Sequence, residues 1–321
     1  MDVTTIDILP QGFTVRSPAM EDLRAVYALI LASDLADFGE PDYSEHKLST
    51  EWRSIDLESD AWVVLAPDGE FAGYASALHR NHIRVEVEAY VHPEYVGKGI
   101  GTYLVRLTEA RASEHVSLAP SGSRVLVRNA IKGANRAAFR LLEQEGYAPV
   151  RHFERMAIEL EQAPLEPEWP AGMTVRPCAS ERDKRTVFQV VDEAFRDLWD
   201  YVPSTFEDWE RRRKGEGFDP SLWSLAFHED EIAGVAVCTH LSQELGWVEE
   251  LAVRRAWRKR GVGMALLLAA FGEYYRRGRH KVALGVDSES LTGAKRLYER
   301  AGMHADRRCA VYQKELRPGT Q

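Results

Sequence analysis

The chain repeats itself, and a repeat this long restricts it to folds that can be built twice over. Thr14-Val15-Arg16, after Phe13, returns as Thr174-Val175-Arg176 after Met173. Phe71-Ala72-Gly73 returns as Ile232-Ala233-Gly234, and Gly99-Ile100-Gly101 as Gly261-Val262-Gly263. "NRAAFRLLEQEGY" (135–147) returns as "LTGAKRLYERAGM" (291–303). The four matches keep their order, at offsets of 156 to 162 residues, which chance does not produce. Between the copies lies "EQAPLEPEWPAG", with three prolines in a dozen residues, the composition of a linker. Two homologous domains are therefore expected at 12–160 and 172–317, joined by a linker at 161–171.

Each copy follows one coarse order. An extended start (FTVR, MTVR) leads into a helical region rich in acids and aromatics. Two β-like runs follow, "WVVLAPDGEFAGYASAL" and its partner "WSLAFHEDEIAGVAVCTH", each broken by a turn. A further strand enters a glycine loop, and a helical segment leaves it. A β run (125–127; 281–286), a helix ending in Glu-x-x-Gly and a last strand close the domain. The glycine after that helix is a C-terminal stop signal, because it adopts the left-handed backbone without a Cβ clash. The fold class implied is α/β (α+β): two domains, each a mixed, largely antiparallel central sheet flanked by helices.

The formal charge of −9 disfavours a general nucleic-acid binder, which needs a net basic face. No apolar run is long enough to span a bilayer. The start MDVTTIDILPQGF lacks the basic and apolar regions of a signal peptide. Cys178, Cys238 and Cys309 have no CxxC spacing, which argues against a disulfide framework or a zinc site. A reducing cytoplasm is the expected location. There is no HExxH, no GxSxG and no Cys/His set with metal spacing, so no metal is expected.

Against this acidic background, "WVEELAVRRAWRKRGVGMA" (247–265) gathers Arg254, Arg255, Arg258, Lys259 and Arg260 beside Gly261 and Gly263. Strand, glycine turn, then helix is an anion-binding order, because the first helical turn has free N–H groups and the positive end of the dipole. A P-loop fails twice in the first copy, where Gly99 follows Gly97-Lys98 and His92 replaces the leading glycine. A Rossmann fingerprint fails because Thr102 and Leu266 occupy its third glycine. Arg/Gln-x-x-Gly-x-Gly/Ala, after a strand ending in apolar-x-Val, is met in full by Arg258 to Gly263 after Leu251-Ala252-Val253. Ala294, Tyr298, Glu299 and Gly302 supply a second motif, Ala-x-x-x-Tyr-Glu-x-x-Gly.

On these motifs the chain resembles the GCN5-related N-acetyltransferase (GNAT) superfamily twice over, and its tandem layout resembles the mycothiol synthase family. The resemblance implies acetyl-CoA as co-substrate and direct acetyl transfer in a ternary complex. It implies that the backbone of Arg258, Lys259, Arg260, Gly261, Val262, Gly263, Met264 and Ala265 holds the pyrophosphate. The strand residues Leu251, Ala252 and Val253 would lie along the acyl carrier, with the freed N–H near Val253 polarising the carbonyl. Tyr298 matches the family's thiolate proton donor, and a tyrosine of pKa about 10 keeps its proton at neutral pH. The base is open between Glu249 and Glu250, which strand alternation would send to opposite faces; Glu249 matches a carboxylate of polyamine-type members.

The first copy departs from the motif. Val96 replaces the arginine, Val87 stands where Glu249 does, and Leu142 where Tyr298 does. It keeps Val91, Lys98, Gly99, Gly101, Thr102 and Asn135. It is therefore expected to bind CoA without turnover, leaving catalysis to the second copy. There, Leu291 replaces an asparagine that is frequent in the family. The acceptor is a small-molecule amine or a peptide N-terminus, with neither nucleic acid nor membrane as partner. Phe195, Trp199, Tyr201, Phe206 and Trp209 interleave with Glu193, Asp197, Asp200 and Asp208. They form either a cage for a cation or amphipathic helices whose aromatics reach the core. A CoA-binding scaffold without turnover is the competing reading. A nucleic-acid binder using Arg211–Lys214 and 254–260 is a further one, opposed by the net charge.

Overall fold

A computed structural model describes residues 9–41, 43–133, 135–199, 201–213, 218–242, 244–290 and 292–320. The first half runs β1 (Thr14–Arg16), α1 (Leu23–Phe38), α2 (Glu45–Trp52), α3 (Leu57–Asp60), β2 (Ala61–Leu65), β3 (Phe71–Arg80) and β4 (Arg84–Val91). It continues with α4 (Ile100–Leu118), β5 (Val125–Lys132), α5 (Arg136–Gln144) and β6 (Ala148–Glu159). The second half runs β7 (Met173–Pro177), α6 (Glu181–Phe195), α7 (Phe206–Arg211), β8 (Ser224–His228), β9 (Glu231–His240) and β10 (Leu245–Val253). It ends with α8 (Val262–Arg276), β11 (Lys281–Asp287), α9 (Ala294–Arg300) and β12 (His304–Arg317). The halves match element for element, apart from the additional short helix α3 in the first.

Local chemistry sets several of these boundaries. Ser44, Ser180 and Thr205 cap α2, α6 and α7, each hydroxyl accepting the N–H three residues on. Such a cap satisfies one of the orphan donors of the first helical turn, worth about 1 kcal/mol. Gly146 and Gly302 take φ of +84° and +90° after α5 and α9, as the Glu-x-x-Gly signal requires. β3 and β9 are almost continuously buried, as expected of strands covered on both faces.

The chain divides into two compact units, which differ from the contiguous spans 12–160 and 172–317 read from the sequence. One unit holds residues up to His152 together with Arg308 onward; the other holds Phe153–Arg307. In the first, strands follow the order β1-β2-β3-β4-β5-β12, and in the second β7-β8-β9-β10-β11-β6. All pairs are antiparallel except β4–β5 and β10–β11. Each half thus gives its last strand to the other half's sheet. Cys309 to Arg317 pair with Lys132 to Val125, while Phe153 to Glu159 pair with Asp287 to Lys281.

The physical reason is that β6 and β12 are repeats of one strand, so either can fill the vacant edge of either sheet. Exchange of equivalent elements costs little when the connecting segment is long enough. Residues 160–172 carry no helix or strand and supply that length. Each exchanged strand enters its host core. Met156, fully buried, joins the second unit's cluster with Trp223, Phe271 and Tyr274. Ala310 and Tyr312 join Val85, Val127 and Leu142 in the first. Arg317 fastens the end of β12 by donating to the carbonyls of Val116, Pro120 and Ser123.

Truncation after Arg307 is therefore expected to strip hydrogen-exchange protection from the amides of β5, 175 or more residues away in sequence, while β8 and β9 stay protected. Protection lost from β8 and β9, with β5 unaffected, would mean that β12 belongs to the second unit.

Candidate active site

In the second unit the two parallel strands touch only briefly. Leu245, Gly246 and Trp247 pair with Lys281, Val282 and Ala283, after which β10 continues to Val253 on β9 alone. β11 meanwhile runs on to Asp287 against β6. The result is a splay between adjacent strands. Arg254 N–H donates to Ala233 O at 3.0 Å. Antiparallel alternation therefore turns the N–H groups of Val253 and Leu251 away from β9 and into the gap, and that of Ala252 toward β9.

The chain leaves the gap through the basic run. Lys259 takes a left-handed φ of +61° and Gly261 +90°, and α8 starts at Val262. The N–H groups of Val262, Gly263 and Met264 lie in the first turn, where no intrahelical carbonyl is in reach. Ala265 N–H is already spent on Gly261 O at 3.0 Å, so it offers no donor to a phosphate. A Cβ on Gly263 would sit 3.2 Å from Leu297 Cδ1 and 3.6 Å from Val253 Cγ2. This glycine lets α8 approach both β10 and α9.

The basic side chains divide into two groups. Arg258 donates from Nε to Val253 O (3.1 Å), from Nη1 to Asp197 (3.0 Å) and from Nη2 to Ala194 O (3.2 Å). Arg255 also pairs with Asp197, whose carboxyl these two arginines hold below its ordinary range. Arg254 pairs with Glu193 at 3.0 Å. These three arginines tie the loop to the end of α6. Arg260 lies over the Trp257 ring at 5.1 Å, and neither it nor Lys259 has an ion pair among the described residues. The cations left to meet a ligand are the last two of the run.

The carboxylates correct the expectation of opposite faces. A β-bulge falls between Val248 and Glu250, so Glu249 is an extra residue and strand alternation is broken there. Both glutamates consequently reach one guanidinium: Arg213 lies 2.5 Å from Glu250 and 3.4 Å from Glu249. Arg213 stacks over Trp209 at 4.1 Å, and Trp209 Nε1 donates to Glu250 at 3.3 Å. Burial, with the neighbouring Glu249 charge adding to it, pushes the Glu250 carboxyl up to about 7 against the opposing pull of Arg213 and Trp209. Sequence reading placed Arg213 only within a surface arginine cluster and missed this contact, because its partners lie 36 and 37 residues further on. Lys214, the end of that cluster, lies outside the described residues.

Tyr298 sits on α9, 8% exposed, in the core cluster that also holds Val262 and Leu266 of α8. Burial pushes its hydroxyl up to about 12, and it makes no hydrogen bond among the described residues. Among the described residues the aromatics and acids of the expected cage do not gather into one. Phe206 and Trp209 are buried with Trp223, and Asp197, Glu193 and Asp208 are paired with arginines. Tyr201 donates to Asp192, and Trp199 faces Phe153 at 6.5 Å between ring centres. Asp200 and Leu291 lie outside the described residues.

The first unit repeats the splay. β4 pairs with β5 only from Arg84 to Val87, and His92 N–H donates to Ala72 O, which turns Val91 N–H into the gap. Gly99 (φ +86°) opens α4, leaving Gly101 and Thr102 in its first turn. Lys98 lies over Tyr95 at 4.6 Å. Asn135 is a helix cap, accepting from Ala138 N–H at 3.0 Å and donating to Asp37 at 3.1 Å. Glu88, the counterpart of Glu250, has no bulge beside it and has Lys47 at 3.6 Å. Burial would raise its carboxyl, but Lys47, Lys132 and Tyr43 outweigh that and hold it below its ordinary range.

A sheet parted between two parallel strands, with backbone donors in the gap and a glycine turn opening a helix, defines an acyltransferase scaffold, present here twice. The acetyltransferase (GNAT) family profile matches residues 23–147 and 186–303. The chain belongs to that family and is an acetyl-CoA-dependent N-acetyltransferase of two repeats. It is 30% identical over 292 residues to the mycothiol acetyltransferase of Thermobispora bispora, covering 88% of this chain and 92% of that one. The structure of a GCN5-related N-acetyltransferase from Sphaerobacter thermophilus is 43% identical, with TM-score 0.85 and 98% of each chain covered. A tandem GNAT protein from the clavulanic acid biosynthesis pathway shares the fold at TM-score 0.70 and 15% identity, covering 96% of this chain and all of that one.

The partners of the two loop arginines set apart their roles. Arg258→Ala removes three charge-assisted hydrogen bonds and is expected to cost about 1.5–3 kcal/mol in urea denaturation. Arg260→Ala should stay within about 0.5 kcal/mol of the parent and weaken acetyl-CoA binding in calorimetry instead.

Proposed function

We propose that the second unit moves an acetyl group from acetyl-CoA to a primary amine by direct transfer in a ternary complex. The observation that carries this reading is the coincidence, in one unit, of the splay, the bulge carboxylates and Tyr298. In the first unit the counterpart of Tyr298 is Leu142, and Glu88 is held ionised by lysines. Its role is to bind CoA without turnover.

In this reading the pyrophosphate lies on the N–H groups of Val262, Gly263 and Met264, with Lys259 and Arg260 beside it. The thioester carbonyl accepts from the N–H groups of Val253 or Leu251, which stand ready in the gap and need no reorganisation as charge develops on oxygen. The amine nitrogen attacks the carbonyl carbon, the C–S bond breaks, and the amine proton passes to a carboxylate. Tyr298 gives its proton to the departing thiolate. A base is most effective when its pKa lies near the working pH. On that criterion Glu250, at about 7, is the better candidate, and Glu249 shapes its charge from the bulge.

The acceptor is a small molecule. The 30% identity to a mycothiol acetyltransferase supports a second reading, in which the acceptor is the one those relatives use. A peptide N-terminus is the alternative class of amine. A reducing cytoplasm is the proposed location, on the scattered spacing of Cys178, Cys238 and Cys309 in the sequence. No helix among the described residues is long and apolar enough to cross a membrane.

A free-thiol release assay across amines tests the assignment. Because Glu250 must be ionised to accept a proton, kcat should rise with pH through about 7 and then level off. Glu250→Gln should lower kcat about a hundredfold or more and flatten that profile. If Glu249→Gln flattens it and Glu250→Gln does not, the base is Glu249. Tyr298→Phe should lower kcat, with acetyl-CoA affinity within about twofold of the parent; equal rates would remove Tyr298 from the mechanism.

A further inference from the structure

Away from the splay, three histidines meet at the other end of the first unit's sheet. His79 is the penultimate residue of β3, His82 lies in the turn to β4, and His115 lies in the last turn of α4. Asn81 and His82 both take left-handed backbone, φ +50° and +59°. That conformation costs an L-residue about 1–2 kcal/mol, and here it accompanies a ring stacked on His79 at 4.1 Å and 12°. One ring nitrogen from each residue lies within 4.8 Å of the other two.

The hydrogen bonding of this group is incomplete. His82 Nδ1 and His115 Nδ1 are 2.8 Å apart and share one proton between them. Among the described residues, the buried His79 Nδ1 has no hydrogen-bond partner. An orphaned buried nitrogen costs about 1–3 kcal/mol. Asp60 of α3 and Arg111 of α4 are also close, but they are bound to each other at 2.8 Å. Arg80, at the end of β3, pairs with Glu86 at 3.5 Å. Three imidazoles therefore face one another, and the nearby Asp60 carboxylate is already engaged by Arg111.

We propose that His79, His82 and His115 bind one divalent late-transition-metal ion of the Zn²⁺ type, stapling the β3–β4 turn to the end of α4. Three imidazole nitrogens are the donor set such ions prefer over Mg²⁺ or Ca²⁺. Metal–nitrogen bonds of about 2.0–2.1 Å in a tetrahedron hold the nitrogens about 3.3 Å apart. The His82–His115 contact would open by about half an ångström and His79 would swing inward, all by side-chain rotation. His82 is only part-buried, so the ion can enter from solvent, and a water takes the fourth position. The sequence hides this site: His79 and His82 are three residues apart, but the third ligand is 33 residues further on.

The test uses the full chain without a histidine tag, stripped with a chelator and titrated with Co²⁺, whose visible d–d absorption reports four-coordination. One equivalent should bind, be displaced by Zn²⁺ and raise the melting temperature. His115 is buried, and replacing it endangers the fold, so His79→Ala and His82→Ala carry the test. Each should weaken Co²⁺ binding at least about a hundredfold, since even loss of an outer-shell partner costs ten- to a hundredfold, while acetyl transfer stays unchanged. Absence of saturable binding at one equivalent, or wild-type affinity in both variants, would overturn the proposal.

Discussion

The parting of β10 from β11 is the constraint on which the rest of the second unit depends. Three residue pairs hold the parallel strands together, and beyond Trp247 each strand keeps only its outer neighbour. Donors turned into such a gap have lost their ladder partners, and buried backbone groups without partners are costly. A ligand that supplies acceptors along the gap removes that cost. A strand edge inside a sheet is thus unstable in the way a binding site should be. The same parting in the first unit, after Val87, shows that it belongs to the repeated architecture.

Around this gap the charges are more organised than their number suggests. Five cations crowd one short loop of an acidic chain, yet three of them answer to two acids at the end of α6. Arg258, the residue that completes the family motif, spends its donors on Val253 O, Asp197 and Ala194 O. It fixes the shape of the loop, whereas Lys259 and Arg260 have no ion pair among the described residues. Among the carboxylates, the difference between Glu250 and Glu88 is one of surroundings. Burial and the Glu249 charge outweigh Arg213 and raise Glu250 to about 7, whereas Lys47 and Lys132 outweigh burial and hold Glu88 below its ordinary range. Burial of the same residue type yields opposite shifts because the neighbouring charges differ.

Much of the fold was legible in the sequence because repetition removes ambiguity. Thr14-Val15-Arg16 and Thr174-Val175-Arg176, each too short to identify alone, mark β1 and β7 when read together. Gly99 and Gly261 mark the starts of α4 and α8 through their left-handed backbone. The site was legible where its chemistry is backbone chemistry: Val253 faces the gap because of strand alternation, which runs with the sequence. It was illegible where a side chain finds its partner through space. Arg213 joins Glu249 and Glu250 from another element, and the bulge that brings the two glutamates together has no signature in "WVEELAV". Asn135 likewise finds Asp37 through space while capping its own helix.

The sequence by itself determined that there are two copies of one α/β domain, that each carries a glycine turn ahead of a helix, and that only the second keeps the arginine and tyrosine of the full motif. These follow from local preference and from comparing the chain with itself. Tertiary structure alone decided which strand closes which sheet, which cations of the loop are already paired, which carboxyl is raised, and that three distant histidines share one corner. Strand exchange is invisible locally because β6 and β12 are equivalent in pattern, so only the global pairing chooses between them. Protonation and pairing are invisible because they depend on distance and burial, quantities that a linear order of residues does not contain.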